Sequence, residues 1–217
     1  MTVNICFHGI GECRIEREDG ESRYWMPTDV FYGVLDAVAE MPDVALSFDD
    51  GNRSDVDVAL PALLQRGLHA TFFALAGRLD DPASLNATDL RALRAAGMGV
   101  GSHGWDHVPW RGLSADAARR EFVDARAALA EASAGEIGEA AFPLGRYDRT
   151  ALHRLRKAGY RAVYTSDRFP FREREWMRAR YSVTSGDTVA SVRGYARGRL
   201  GASEVRNVAA SLVKRVR

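Results

Sequence analysis

Two adjacent carboxylates stand at the end of a short apolar run, in the sequence Asp49-Asp50-Gly51 after Val44–Phe48. Two like charges in one pocket strongly raise the pKa of one group unless a cation neutralises them. A bound metal ion would do this, with one carboxylate as its ligand and the other free to act as a base. The same three residues also form ordinary surface turns, so the pair indicates chemistry only together with further ligands.

Two histidines could provide those ligands. His103 and His107 are four residues apart, a spacing that one helical turn places on the same side. Two neutral imidazoles and one carboxylate form a three-ligand set that leaves positions open for water and substrate. Either histidine alone would also suit a hydrogen-bonded polar residue of a loop. The pair and the two carboxylates together predict a metal site.

The chain has five histidines, and the other three sort by their position relative to the predicted strands. His8 directly follows the first strand, so we expect it on the same face as the metal site. His69 precedes the third strand and should lie on the opposite face, and His153 lies inside a predicted helix. For these last two the sequence favours a structural role.

Short apolar or β-branched runs alternate with longer segments of helical periodicity, which is typical of βαβ crossovers and a parallel sheet. We therefore predict an α/β fold, a closed or nearly closed (β/α) barrel that forms one domain over residues 1–217. In such barrels the chemistry lies at the carboxyl ends of the strands, where both motifs fall. The seven predicted strands are Val3–Phe7, Val44–Phe48, Ala70–Leu75, Met98–Gly101, Ala140–Pro143, Ala162–Thr165 and Tyr181–Thr184.

The composition excludes some classes of partner. With 30 Lys or Arg and 29 Asp or Glu among 217 residues, the formal net charge is +1, which argues against a nucleic-acid partner. No apolar run approaches the ~20 residues of a membrane helix, so no membrane insertion is expected. The amino terminus lacks the features of a secretory signal, which predicts a cytoplasmic protein. Basic residues are frequent from Arg193 to Arg217 and would suit an anionic partner, although acidic residues elsewhere offset them.

Three further features are predicted near the metal site. The long polar segments Gly11–Pro27 and Arg168–Trp176 are typical of an active-site rim or lid. The turn at 142–145, Phe-Pro-Leu-Gly, could direct backbone N–H groups at an oxyanion, although an ordinary strand-to-helix turn explains it equally well. Trp105 and Trp110, together with this turn, would form the apolar walls of a small pocket.

In this order the motifs resemble those of the polysaccharide deacetylases, which are carbohydrate esterase family 4 or the NodB homology domain. The resemblance runs from about His8 to about Val183 and implies a distorted (β/α)7 barrel. The segments that carry it are Ser47-Phe48-Asp49-Asp50-Gly51, His103-x-x-x-His107 and Phe142-Pro143, with connecting signatures at Leu68–Phe73 and Ala158–Tyr160.

The resemblance also implies a role for each matching residue. Asp49 matches the general base, and the backbone N–H of Leu144, which follows Pro143, matches the oxyanion contact. The metal would be divalent, zinc in the first place, with cobalt, nickel or iron as alternatives. Its ligands are matched by Asp50, His103 and His107.

The chain also departs from the family pattern. The family's third motif begins with an arginine two residues before the proline, where this chain has Ala141, and Leu144 replaces an aromatic residue. The family's last motif carries a histidine that acts as general acid, but no histidine follows His153, and Arg180 occupies that neighbourhood. The candidate substrate or oxyanion contacts are Pro143, Leu144, Trp105 and Arg180.

These observations predict a metal-dependent hydrolase that removes an N-acetyl or O-acetyl group from an amino sugar or another sugar-containing substrate. Asp49 would activate the water, and His8 is the candidate acid for the leaving amine, with proton return from Asp49 as the second choice. The alternatives are hydrolysis of another non-peptide C–N bond on the same fold, or a non-catalytic sugar-binding homologue. The substrate, the metal and the oligomeric state stay open.

Overall fold

Seven parallel strands close into one barrel in a computed structural model that describes residues 1–198 and 201–216. The strands, in chain order, are β1 Val3–Phe7, β2 Gly9–Ile10, β3 Trp25–Met26, β4 Val44–Phe48, β5 Ala70–Ala74, β6 Gly99–Ser102, β7 Glu139–Ala141, β8 Ala162–Thr165 and β9 Met177–Ser182. The ring order is β1-β4-β5-β6-β7-β8-β9, and β9 pairs with β1 to complete it. The short strands β2 and β3 pair only with each other.

In the described part of the chain, six α-helices lie between barrel strands, and two more follow the last strand. They are α1 Thr28–Val38, α2 Leu60–Gln65, α3 Ala87–Ala95, α4 Ala115–Arg119, α5 Ala125–Ala132, α6 Arg149–Lys157, α7 Val189–Ala196 and α8 Ala202–Val216. A π-helical turn, Arg120–Asp124, joins α4 and α5 into one continuous helix. The predicted (β/α)7 barrel of one domain is therefore confirmed.

The barrel has an apolar outer layer and a partly polar interior, because successive side chains of a strand point to opposite faces. Phe48 faces outward and stacks on Phe72, with ring centroids 4.6 Å apart, in the core between the sheet and the helices. Its neighbour Ser47 is buried and hydrogen-bonds to Asn4 (2.7 Å) and to Arg180 (3.2 Å). The alternation therefore brings Asp49, two residues after Ser47, to the interior face as well.

The last strand begins earlier than the apolar pattern predicts, at Met177 rather than Tyr181. The strand contains two arginines, Arg178 and Arg180, which the sequence pattern does not associate with a buried strand. In the barrel these charges are paired: Arg178 donates to the hydroxyl of Tyr164 (2.7 Å) and lies 3.5 Å from Glu139. Arg180 is consequently not at the start of the strand but in its second half.

One helix was not predicted from the sequence. This is α3, which begins with a capping box formed by Asn86 and Asp89. Among the described residues, no helix is long and apolar enough to cross a membrane.

Candidate active site

Two imidazoles converge on one carboxylate oxygen at the carboxyl ends of β4 and β6. The Nε2 atoms of His103 and His107 lie 3.4 and 3.2 Å from Oδ1 of Asp50. This oxygen is buried, and no described group forms a well-oriented hydrogen bond to it. One ligand atom from each of the three residues lies within 4.8 Å of the others. The group fits a divalent cation, since a bound ion would satisfy an oxygen that is otherwise without a partner.

The second nitrogen of each imidazole ring, Nδ1, already donates a hydrogen bond. Nδ1 of His103 donates to the carbonyl oxygen of Ala141 (3.0 Å), and Nδ1 of His107 donates to the carboxylate of Glu18 (2.6 and 2.7 Å). Hydrogen bonds of this kind fix the tautomer of a metal-binding histidine and leave Nε2 free as a ligand. The sequence predicted that His103 and His107 lie together, and the structure brings them together with Asp50.

The site also favours positive charge. Burial lowers the pKa of His107, but the carboxylates of Asp50 and Glu18 outweigh burial and raise it to about 9. Asp50 and Glu18 therefore create a local negative potential in a protein whose formal net charge is only +1. A cation at this position would be held by these charges.

Four non-glycine residues around the cavity have a left-handed backbone conformation. Asp50, His107, Leu144 and Arg168 have φ angles between 55° and 72°, and all four line the same cavity. Non-glycine residues rarely adopt this conformation, which costs on the order of 1–3 kcal/mol for each residue. Such strain persists where the surrounding structure holds it, and here it occurs at two of the three candidate ligands, Asp50 and His107.

The other carboxylate, that of Asp49, forms a buried ion pair with Arg180. Nη1 and Nη2 of Arg180 each donate to one oxygen of Asp49, both at 2.6 Å. Burial alone would raise the pKa of Asp49, but the charges of Arg180 and His103 outweigh it and hold this pKa below its usual value. Arg180, expected at the substrate or oxyanion, instead directs both terminal nitrogens at Asp49. Arg180 is thus an arginine partner for Asp49, although this chain has Ala141 at the position where the family's motif has an arginine.

A second group of potential ligands contains Cys6, His8 and Asp49. This group suits a cation poorly, because both oxygens of Asp49 already accept hydrogen bonds from the guanidinium of Arg180. His8 lies on the cavity wall as predicted, 4.8 Å from the ring of Tyr24. Burial lowers the pKa of His8, so this side chain is neutral at neutral pH.

Glu18 was not identified from the sequence. It belongs to the segment Gly11–Pro27, which was expected at the rim and does line the cavity. Its carboxylate accepts hydrogen bonds from His107 and from Arg78. Burial would raise the pKa of Glu18, but these two partners outweigh burial and lower it. Glu18 therefore stays ionised beside a candidate ligand.

Glu18→Gln is expected to weaken metal binding by roughly 10–100-fold, because the amide lacks the charge that orients His107 and increases its basicity. A Co²⁺ titration against a chelating dye would measure the affinity directly. Glu16→Gln is the matched control: Glu16 lies in the same loop and accepts a hydrogen bond from the backbone N–H of Ser22 instead of from a candidate ligand. Equal affinities for the two variants would contradict a positioning role for Glu18.

Glu121 is a second residue that the sequence analysis did not identify. It is buried on the inner side of the π-helical turn and accepts hydrogen bonds from the backbone N–H groups of Trp105 (2.9 Å) and Asp106 (3.0 Å). The indole of Trp110 donates to the same carboxylate at 3.1 Å. Glu121 thus holds the loop that carries His103 and His107. The sequence did contain a signal for this role, because Glu121 is a charged residue within the otherwise apolar stripe of this helix.

The cavity above these residues has a volume of about 550 Å³. Leu144 lies on its wall with 52% of its surface exposed, and Pro143 before it is buried. The prediction that Trp105 and Trp110 form walls of the pocket is wrong. Trp110 is fully buried in the core, and Trp105 packs under the guanidinium of Arg120 at 4.5 Å, because Glu121 draws both toward the helix.

Comparison with known proteins identifies a family for this chain. The family model described as Polysaccharide deacetylase matches residues 37–163. YxkH of Bacillus subtilis (strain 168), a protein named after the same family, is 25% identical over 124 residues. That match covers 57% of this chain and 44% of the relative, so the chain corresponds to less than half of the relative's length.

Solved structures share the fold. The Streptococcus pyogenes deacetylase PplD, solved in complex with acetate, superposes with a TM-score of 0.77 at 18% identity, covering 90% of this chain and 97% of that one. IcaB from Ammonifex degensii superposes with a TM-score of 0.75 at 20% identity, with the same coverage of 90% and 97%. At these identities the likeness establishes the fold, and the family match covers more than half of the chain. The chain therefore belongs to the polysaccharide deacetylase family.

Proposed function

We propose that the protein is a metal-dependent hydrolase that removes an N-acetyl group, or an O-acetyl group, from an amino sugar or another sugar-containing substrate. The observation that carries this proposal is the buried Oδ1 of Asp50, which has two imidazole Nε2 atoms at 3.2 and 3.4 Å and the ionised Asp49 as its neighbour in the chain. Three potential ligands and an adjacent base provide what metal-assisted hydrolysis of an amide uses.

The proposed ligands are Asp50, His103 and His107, and zinc is the metal we propose first because imidazole and carboxylate ligands suit it; cobalt, nickel and iron are the alternatives. When bound, such an ion would polarise the acetyl carbonyl and lower the pKa of a water molecule. Glu18 and the carbonyl of Ala141 would keep the two imidazoles oriented.

Asp49 is proposed to take one proton from the attacking water as its oxygen adds to the acetyl carbon. Arg180 keeps Asp49 ionised and fixes the direction of its carboxylate, which makes Arg180 a positioning residue. When the C–N bond breaks, acetate leaves and the amine nitrogen takes up a proton. Because His8 is neutral at neutral pH, we propose that Asp49 returns this proton, with His8 as the second candidate.

The turn at 143–145 is proposed to stabilise the developing oxyanion. Leu144 lines the cavity with a φ angle of 55°, and its backbone N–H is the proposed donor. The fixed φ of Pro143 and the left-handed conformation of Leu144 determine where that N–H group points. We propose that Leu144 contacts the substrate, whereas Trp105 and Arg180 support other residues.

The test is acetate release from a panel of N- and O-acetylated sugars, measured with the full chain after metal supply and after chelation. We expect release with metal and at least roughly 100-fold less after chelation, because both the nucleophile and the carbonyl would lose the cation. A formamide and a ring amide belong in the same panel, since hydrolysis of these alone would favour the other C–N hydrolase. Sugar binding without any release would favour the non-catalytic homologue.

A further inference from the structure

The helix α8 presents the reverse of the usual amphipathic arrangement. Three of its polar residues face the barrel: among them, Lys214 pairs with Asp167 (2.6 Å), and the hydroxyl of Ser211 lies 3.0 Å from that of Tyr147. Between the buried Ser211 and the amino end of the helix, Asn207 donates to the carbonyl of Arg168 (3.2 Å). Three polar contacts, spaced three or four residues apart, therefore hold α8 on the domain.

The apolar residues of α8 face solvent. We define the α8 stripe by its large members, whose exposures are 64, 52, 59 and 75% for Val205, Leu212, Val213 and Val216. Ala202 and Ala209 on the same side are also exposed. A surface helix normally turns its apolar side to the core, because exposed apolar area is unfavourable in water. The orientation of α8 indicates that another surface covers this stripe.

The surroundings of the stripe are strongly basic. Residues 189–217 include seven Lys or Arg and a single Glu, although the whole chain has a formal net charge of only +1. Arg193, Arg197 and Arg206 are exposed, and none forms an ion pair with a residue that the structure describes. Arg206 and Arg215 on α8 itself accompany the exposed apolar stripe, and this is the combination found in helices that lie in the interface of anionic membranes.

We propose that α8 docks the protein on an anionic lipid surface, with the stripe among the headgroups and the arginines against lipid phosphates. A second copy of the chain fits less well. The four large side chains offer on the order of 400 Å², about half of the roughly 800 Å² per partner of a stable interface. Arg206 and Arg215 also flank the stripe, so pairing two copies along it would bring like charges together.

This surface lies beside the mouth of the cavity. Nζ of Lys214 is 3.4 Å from the carbonyl of Gly145, and Asn207 contacts Arg168; both Gly145 and Arg168 line the cavity. The exposed Leu144 is next to Gly145 in the chain. Docking through α8 would consequently bring the cavity mouth close to the lipid surface. No insertion across the membrane is involved, and the inference does not depend on the reaction.

Co-sedimentation with vesicles tests the proposal. The full chain is mixed with vesicles of phosphatidylcholine alone or with phosphatidylglycerol added, and the bound fraction is measured. We expect binding to the anionic vesicles only, and a partition at least roughly tenfold lower for Leu212→Glu combined with Val216→Glu, because each change removes apolar contact and adds negative charge. A salt concentration of about 0.5 M should also weaken binding.

Leu64→Glu combined with Val123→Glu is the matched control, since these side chains are 52 and 49% exposed on other helices. This pair should bind like the wild type. Arg193→Glu combined with Arg206→Glu, which leaves the stripe intact, should bind the anionic vesicles less. Absent binding by the wild type, or equal binding by the stripe and control variants, would overturn the proposal. So would a dimer of twice 23.9 kDa in light scattering that only the stripe variant dissociates.

Discussion

Asp49→Asn is expected to lower kcat/KM for acetate release by roughly 10²–10⁴-fold, the contribution that a positioned general base makes. The amide has nearly the same shape but cannot accept the proton of the attacking water. Asp49 lies outside the three proposed ligands, so the metal content of the variant should equal that of the wild type. Steady-state kinetics and metal analysis on the same preparation would measure both quantities.

His8→Gln is the companion variant. If Asp49 returns the proton to the amine, as the lowered pKa of His8 favours, this variant should keep activity within a few-fold of the wild type. A loss comparable to that of Asp49→Asn would instead assign the proton donation to His8. Activity of Asp49→Asn within a few-fold of wild type would show that the base is another group.

Arg180→Met is expected to destabilise the protein by about 3–5 kcal/mol, because it leaves the carboxylate of Asp49 buried without a compensating charge. Both side chains are almost completely buried, so solvent would screen little of this loss. Burial would then raise the pKa of Asp49, which Arg180 now holds down. The acid limb of the pH–rate profile should therefore move to higher pH. Urea unfolding and the pH dependence of kcat/KM measure these two effects.

The double variant Asp49→Asn, Arg180→Met distinguishes a paired charge from simple packing. If the ion pair is responsible, removing both charges should recover much of the stability that Arg180→Met loses, since no buried charge is left alone. Arg180→Lys keeps a charge but not the two parallel hydrogen bonds, and should fall between wild type and Arg180→Met. A double variant as unstable as the sum of the two single variants would contradict the coupling.

The general position of the site could be predicted because parallel strands all end on one face of a barrel. Asp50 and His103 follow two strands separated in the ring only by β5, and this topology alone brings them together. The spacing of His103 and His107 added the third residue. The count of seven strands likewise predicted the barrel, since each run was short, apolar and bounded by turn residues.

Other parts of the site depend on contacts that no local pattern contains. Arg180 and Asp49 are 131 positions apart and meet inside the ring, where charged residues break the apolar rule for a buried strand. Glu18 comes from a loop without periodicity. Trp110 looked like a wall beside the histidines, but Glu121 holds its indole in the core. In each case a tertiary hydrogen bond that involves a charged side chain decided the position.

The pairing of β9 with β1 has a consequence for when the proposed site becomes complete during folding. Asp50, His103 and His107 all precede β7 in the chain, so a partly folded protein could gather the three ligands before β9 is in place. The charge that balances Asp49 arrives only with β9, the last strand of the ring. Binding of the proposed metal could thus come before ring closure, whereas the carboxylate of Asp49 gains its fixed direction only with Arg180 on β9. The proposed hydrolytic activity would therefore report on completion of the ring.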